Sequence, residues 1–250
     1  MNLLFSTRHP LRSAILLALI PILFATAAGV ISVVAGLNET QILITQTVSF
    51  GISIILGIFI MKKSKLGYEA FGFRNPDVTK NQSVLFFLPL LVAEILPFMN
   101  GFNTSISFLT IMLLFLFAAV VGINEELFFR GLIFKVLSTK SAKYAVIASA
   151  VLFGIGHAAT ALSGSDPLYV VILIIFAGLF GLVCAEIVVI TKSIIPVIIW
   201  HGLHDFIANI TLETMSTLGI TLLIAQTVIL CLYAIYLWRK IEFKKEVKVA

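Results

Sequence analysis

Long apolar runs joined by short polar segments make up almost the whole chain. A bilayer core of about 30 Å is crossed by about 20 apolar residues in a helix. Runs of that kind stand at eight places, about 13 to 37, 42 to 61, 83 to 99, 106 to 129, 142 to 162, 167 to 190, 194 to 211 and 216 to 238. The third is short and contains Pro89, Glu94 and Pro97. The first resembles a signal peptide, with Arg8 and Arg12 ahead of it and Ala25-Thr26-Ala27 as a cleavage-like site. Its apolar run continues well past that point, so it reads as a retained span.

Charge orients the spans. Lys and Arg in short loops mark the cytoplasmic side. With eight spans and a cytoplasmic N-terminus, all 17 Lys and Arg residues fall on that side. They group as Arg8 and Arg12; Lys62, Lys63, Lys65, Arg74 and Lys80; Arg130, Lys135, Lys140 and Lys143; Lys192; and Arg239, Lys240, Lys244, Lys245 and Lys248. The opposite loops, such as Asn38-Glu39-Thr40 and Ser163-Gly164-Ser165-Asp166, carry none. The expected fold is therefore all-α, a polytopic membrane helical bundle of about eight transmembrane helices with both termini cytoplasmic, forming a single membrane domain over residues 1–250.

Composition agrees with lipid as the main solvent. Of 250 residues, 60% are apolar and only 12% charged, too little polar surface to cover a water-soluble globule. The net charge of +5 does not imply a nucleic-acid partner, because no soluble stretch is long enough for a binding domain and the basic residues flank apolar spans. Cys184 and Cys231 both sit inside apolar runs, which leaves neither a disulfide framework nor a cysteine zinc cluster.

Ionisable side chains inside a bilayer are costly and usually face a cavity or a partner. Three clusters stand out. In Asn124-Glu125-Glu126-Leu127-Phe128-Phe129-Arg130, Glu126 and Arg130 are four apart, share a helix face and can pair. Glu125 is turned about 100° away, free to point elsewhere. A solvated helix end is the plainer reading, but Phe128, Phe129 and Ile133 continue the apolar run. Phe153-Gly154-Ile155-Gly156-His157 sets an aromatic ring and an imidazole one turn apart, with glycines that allow close backbone approach. In His201-Gly202-Leu203-His204-Asp205, His201 and Asp205 share a face, and His204 lies close to it. A polar pair tying helices together is the alternative there. Glu94 and Glu186 also lie in spans but stand alone in the sequence, which favours structural or substrate-facing roles, with Glu94 able to reach water.

Two reaction logics fit such a set. Without metal, Glu125 acts as general base on a water held by His157, while His201 faces the developing oxyanion and Asp205 fixes its ring. Glu126 and Arg130 support the site by setting the helix geometry. With metal, Glu125, His157 and His201, joined by His204 or Asp205, coordinate zinc. The His-Glu-x-x-His helix of common zinc peptidases is absent, so the spacing gives metal no positive support.

Glu125-Glu126-x-x-x-Arg130, then Phe153-x-x-x-His157, then His201-x-x-x-Asp205 resembles the ordered signature of the CPBP family, the CAAX and bacteriocin-processing proteases also called Abi proteins, which includes the type II CAAX prenyl endopeptidases. Gly72-Phe73-Arg74-x-Pro76 is similar to a segment often found upstream of that core. The resemblance implies a catalytic core over 106–211 and a metal-independent, cofactor-free glutamic endopeptidase opening toward the cytoplasmic side of the cell membrane. Glu125 and His157 would activate the water; His201 and Asp205 would form the oxyanion site. Asp205 stands where prenyl-processing members often have Asn, and an ionised Asp cannot donate, which makes it an orienter of His201. The implied substrate is a peptide or a membrane-anchored protein, prenylated where the host makes such proteins. Two other functions remain: a non-catalytic scaffold, bacteriocin-immunity or regulatory partner of the same fold, and a transporter using the acids as a proton relay. Against the transporter, no inverted halves with matching broken segments are visible.

Overall fold

Inside lipid every backbone N–H and C=O must find its partner within the protein, and a helix does so within its own segment. The computed structural model describes residues 8–77, 84–163, 166–212 and 216–241, and these are helical with no strand among them. The helices are α1 (Pro10–Val34), α2 (Glu39–Lys63), α3 (Val84–Ile95), α4 (Phe108–Glu126), α5 (Phe134–Leu137), α6 (Ala142–Gly156), α7 (Pro167–Thr191), α8 (Ile195–Ile210) and α9 (Thr217–Lys240). Lys80, Gly164, Ser165, Lys244, Lys245 and Lys248, which the charge pattern uses, lie outside the described residues.

The polar joints start the helices as well as separate them. Asn38 and Gln41 form a reciprocal capping box on α2, and the side chains of Ser107, Ser141, Asp166 and Ser216 accept backbone N–H groups at the starts of α4, α6, α7 and α9. Among the described residues six helical stretches are long and apolar enough to cross a bilayer: Pro10–Val34, Glu39–Lys63, Phe108–Leu137, Ala142–Leu162, Pro167–Thr191 and Thr217–Lys240. The third and seventh expected spans are shorter. The third is an apolar stretch over Phe87–Asn100, interrupted by prolines, and the seventh is α8, 16 residues from Ile195, with Pro196 in its first turn, to the extended Thr211 that ends it.

Small residues set how closely the helices pack, since without a hydrophobic drive in lipid the gain comes from close van der Waals approach. A Cβ added to Gly122 of α4 would lie 2.8 Å from the backbone nitrogen of Gly202 in α8. One on Gly154 of α6 would lie 2.8 Å from the Ile174 carbonyl of α7. Gly57 of α2 receives the side chains of Leu127 and Phe128, and Phe50, about two turns earlier, meets Phe117, so α2 and α4 run parallel.

On the side that carries the basic loops, the segment after α2 folds back under the bundle. Phe71 is buried, the Gly72 carbonyl accepts from the Ile194 N–H, and the Asp77 N–H donates to Thr191. Gly72 has φ of 85°, and Ile194 presses where its side chain would be. Lys192 ends α7 in the left-handed conformation and reaches Asp77 at 2.9 Å, holding that carboxyl below its usual range. The Gly72-Phe73-Arg74 segment thus fastens the α7–α8 turn.

Overpacking costs about 1–3 kcal/mol, so Gly122→Val is expected to lower the thermal midpoint in detergent by forcing α4 off α8. Gly51→Ala, at a position with nothing within 4 Å, gains helix propensity and leaves the midpoint unchanged or raised. Equal midpoints for the two variants would contradict the packing account.

Candidate active site

α4 ends at Glu126, and the chain continues without a break as a π-helix over Leu127–Ile133 before α5. A π turn makes i→i+5 bonds and holds more residues than an α turn, so side chains before and after it change their relative aim. All seven residues of this segment are buried. The two adjacent acids separate at this junction. Glu126 is fully buried, whereas Glu125 keeps 19% of its side chain exposed and lines a cavity of about 590 Å3.

Glu126 Oε1 lies 3.2 Å from Arg130 Nη1 with both side chains buried. The contact is one of charge: among the described residues no aligned hydrogen-bond acceptor meets Nε, Nη1 or Nη2. The face of the guanidinium is covered instead by Phe153, whose ring centre is 4.2 Å away, with Phe129 at 5.9 Å. Gly181 of α7 makes that possible, because a Cβ there would stand 2.8 Å from Nη2 and 3.0 Å from the Phe153 ring. Phe153 packs edge-on to Phe129 and His157 as well.

His157 follows the last residue of α6 and opens a 3-10 turn over His157–Ser163. Its Nδ1 is 2.9 Å from the Phe153 carbonyl oxygen, which can only accept, so Nδ1–H donates, and in the neutral ring it is Nε2 that carries the lone pair. His157 and Glu125 line the same cavity. The rest of that cavity is mostly apolar, walled by Pro21, Ile22 and Ala25 of α1, Phe50 of α2 and Phe129.

From α8, His201 Nδ1 donates to Glu126 Oε1 at 2.8 Å, and its Nε2 lies 3.7 Å from Glu125 Oε2 and 3.6 Å from Asp205 Oδ2. The ring is thus fixed across helices by Glu126, while Asp205, one turn along α8, faces the other ring edge beyond hydrogen-bonding distance. Glu125, Glu126, Arg130, His157, His201 and Asp205 come together around this point.

His204 does not join them. It donates from Nδ1 to both oxygens of Glu94 at 3.1 Å, on another side of α8. Glu94, which stands alone in the sequence, is 3% exposed and also accepts from Trp200 Nε1 at 2.8 Å. The zinc set with His204 is therefore not assembled, and among the described residues no three His, Cys, Asp or Glu groups are arranged to hold a metal ion. Glu186 is buried with neither oxygen hydrogen-bonded among the described residues. Cys184 is buried beside Glu126 and Arg130, whereas Cys231 is exposed.

Residues 107–207, from the cap of α4 into α8, match the sequence model of a family described as type II CAAX prenyl endopeptidase Rce1-like. No curated protein matches the chain.

Removing one partner of a buried ion pair strands the other, at a cost of about 3–5 kcal/mol. Arg130→Met is expected to destabilise the protein by that order in equilibrium unfolding from detergent micelles, and adding Glu126→Gln should restore part of the loss. Arg130→Lys should not substitute, since an ammonium lacks the planar face that lies on Phe153. Additive losses in the double variant would contradict the pairing.

Proposed function

We propose, from the match of residues 107–207 to the type II CAAX prenyl endopeptidase Rce1-like family model, that this protein is an intramembrane glutamic endopeptidase that cleaves a peptide or membrane-anchored protein by direct attack of water. The observation that carries the reading is that Glu125 and His157 face one largely apolar cavity while His201 stands behind Glu125.

Glu125 takes a proton from water as the water oxygen bonds to the scissile carbonyl carbon. His157 Nε2 accepts the water's second hydrogen and so fixes its lone pair on the carbonyl. Charge develops on the carbonyl oxygen, where His201, carried as an imidazolium with Nδ1–H on Glu126 and carboxylates of Glu125 and Asp205 near its other edge, donates from Nε2–H. Glu126 holds that ring from its opposite nitrogen, and Asp205 keeps the Nε2 edge facing the reacting centre. As the tetrahedral intermediate collapses, Glu125 delivers its proton to the departing amide nitrogen, and the bond to carbon breaks. The acid is then regenerated as carboxylate, and no metal is needed.

The cavity between α1, α2 and α6 suits an extended peptide with an apolar attachment, which is a prenyl chain in hosts that make one. The eight-span arrangement with both termini cytoplasmic belongs to the same proposal, with the Phe87–Asn100 stretch and α8 as the short crossings and the cell membrane as the site of action. It places the acid-bearing end of α4 in the cytoplasmic half of the membrane, at the inner end of a cavity whose Val33, Val34, Ile42 and Leu162 walls run toward the opposite side.

Glu125→Gln and His157→Ala should each reduce cleavage of a fluorogenic peptide by about 10²-fold or more while leaving the protein folded, and a strong chelator should not change wild-type activity. Activity lost to chelator and restored by zinc would replace this mechanism with a metallopeptidase one. Full biological complementation by Glu125→Ala would instead favour a non-catalytic scaffold. For the topology, Thr40→Cys in a cysteine-free background should react with an impermeant thiol reagent from outside, and Lys140→Cys only after the membrane is opened. Labelling of both from one side would contradict the eight-span arrangement.

A further inference from the structure

α8 carries two polar stripes one residue apart. His201 and Asp205 form the stripe that faces Glu125 and Glu126; Trp200 and His204 form the other, which faces Glu94 of α3. A one-residue offset is about 100° around the helix axis. The α4–α8 interface itself is smooth. Gly122 meets Gly202, and Gly202 in turn lies against the backbone of Ala118 and Ala119. Such an interface allows close approach, with Phe115 of α4 and Phe206 of α8 meeting edge-on at 5.5 Å farther along it, and small residues at its centre leave the polar contacts to set how α8 is turned about its own axis.

Turning is what the site cannot tolerate. Groups lie about 5–6 Å from a helix axis, so a turn of about 10° shifts them by about 1 Å. A misplacement of that size costs about 100-fold in rate. The bond from His201 to Glu126 restrains α8 on one side. On the other, Glu94 accepts from Trp200 at 2.8 Å and from His204 at 3.1 Å, two contacts one turn apart. α3 is itself held in place at the preceding residue, since Gln226 of α9 donates to the Ala93 carbonyl. Phe180 of α7 fills the angle between the stripes, stacking on Trp200 at 4.1 Å and touching both His201 and His204 rings at about 5 Å.

We propose that Glu94 is a positioning residue for the peptidase site: through Trp200 and His204 it fixes the rotation of α8 and thereby the place of His201 Nε2 opposite Glu125. The proposal rests on the peptidase reading for its kinetic consequence, but the position of His201 can be observed without turnover. It also accounts for a carboxylate buried in an apolar helix that does not line the Glu125–His157 cavity. A helix-tying role alone would be met by apolar packing at lower desolvation cost.

The test compares full-length wild type, Glu94→Gln and Glu94→Leu, using kcat and KM on a cleaved fluorogenic peptide, the thermal midpoint, and the imidazole resonances of isotope-labelled histidine, with His201 identified from a His201→Asn sample. Gln keeps an acceptor for Trp200 and for His204, and should keep kcat within about threefold. Leu fills the volume without either bond and strands His204 and Trp200, so the midpoint should fall; assayed well below that midpoint it should lower kcat by about 10- to 100-fold with KM unchanged and the His201 resonance displaced. A Leu variant with wild-type kcat and an unmoved His201 resonance overturns the proposal, as does a variant that only melts earlier. If wild type shows no Glu125-dependent cleavage the peptidase reading has failed, and the His201 resonance alone decides whether Glu94 positions α8.

Discussion

One buried carboxylate organises this protein. Glu126 receives Arg130 from its own helix and His201 from α8, and is reached by no solvent. A carboxylate in that position is tolerated only when its charge is answered on the spot. The answers require that α8 lie close enough for an imidazole to reach, which the Gly122–Gly202 contact provides, and that Arg130 find cover for its face, which Phe153 provides. Gly181 then has to be a glycine, because the guanidinium and the Phe153 ring occupy the place of its side chain. Much of the α4, α6, α7 and α8 packing follows from keeping this group satisfied.

The same arrangement divides labour between two neighbouring acids. Glu126 is spent on structure and has no face toward the cavity, whereas Glu125 is partly open and lines it beside His157. The π segment that begins one residue later keeps Arg130 under Glu126 while the apolar side chains of 127–133 stay inside. A wall of α1 and α2 residues closes the cavity, so the first two helices contribute to the site although no motif lies in them.

Much of this was legible in the sequence, for reasons of short range. Residues four apart on a helix share a face, and that rule alone brings Glu126 to Arg130 and places His201 and Asp205 side by side. Apolar run length gave the helices and the all-α class, while two of the runs proved shorter than a full crossing because prolines and Thr211 cut them. Contacts between distant segments left no local trace. The partner of His201 Nδ1 is Glu126, 75 residues away, whereas a same-helix reading points to Asp205. Glu94 seemed solitary because Trp200 and His204 are 106 and 110 residues from it. The π-helix has no sequence signature in a run of buried apolar residues, and the wall formed by α1 and α2 depends on how whole helices pack.

The central claim is that Glu125 acts on water and does not itself attack the peptide. A single turnover of enzyme in excess over substrate, run in oxygen-18 water and read by mass spectrometry of product and of the Glu125 peptide, tests it most directly. The account predicts one heavy oxygen in the new carboxylate of the product and none in Glu125. Heavy oxygen in Glu125, with an unlabelled product from the first turnover, would show a covalent acyl intermediate on that residue and contradict it.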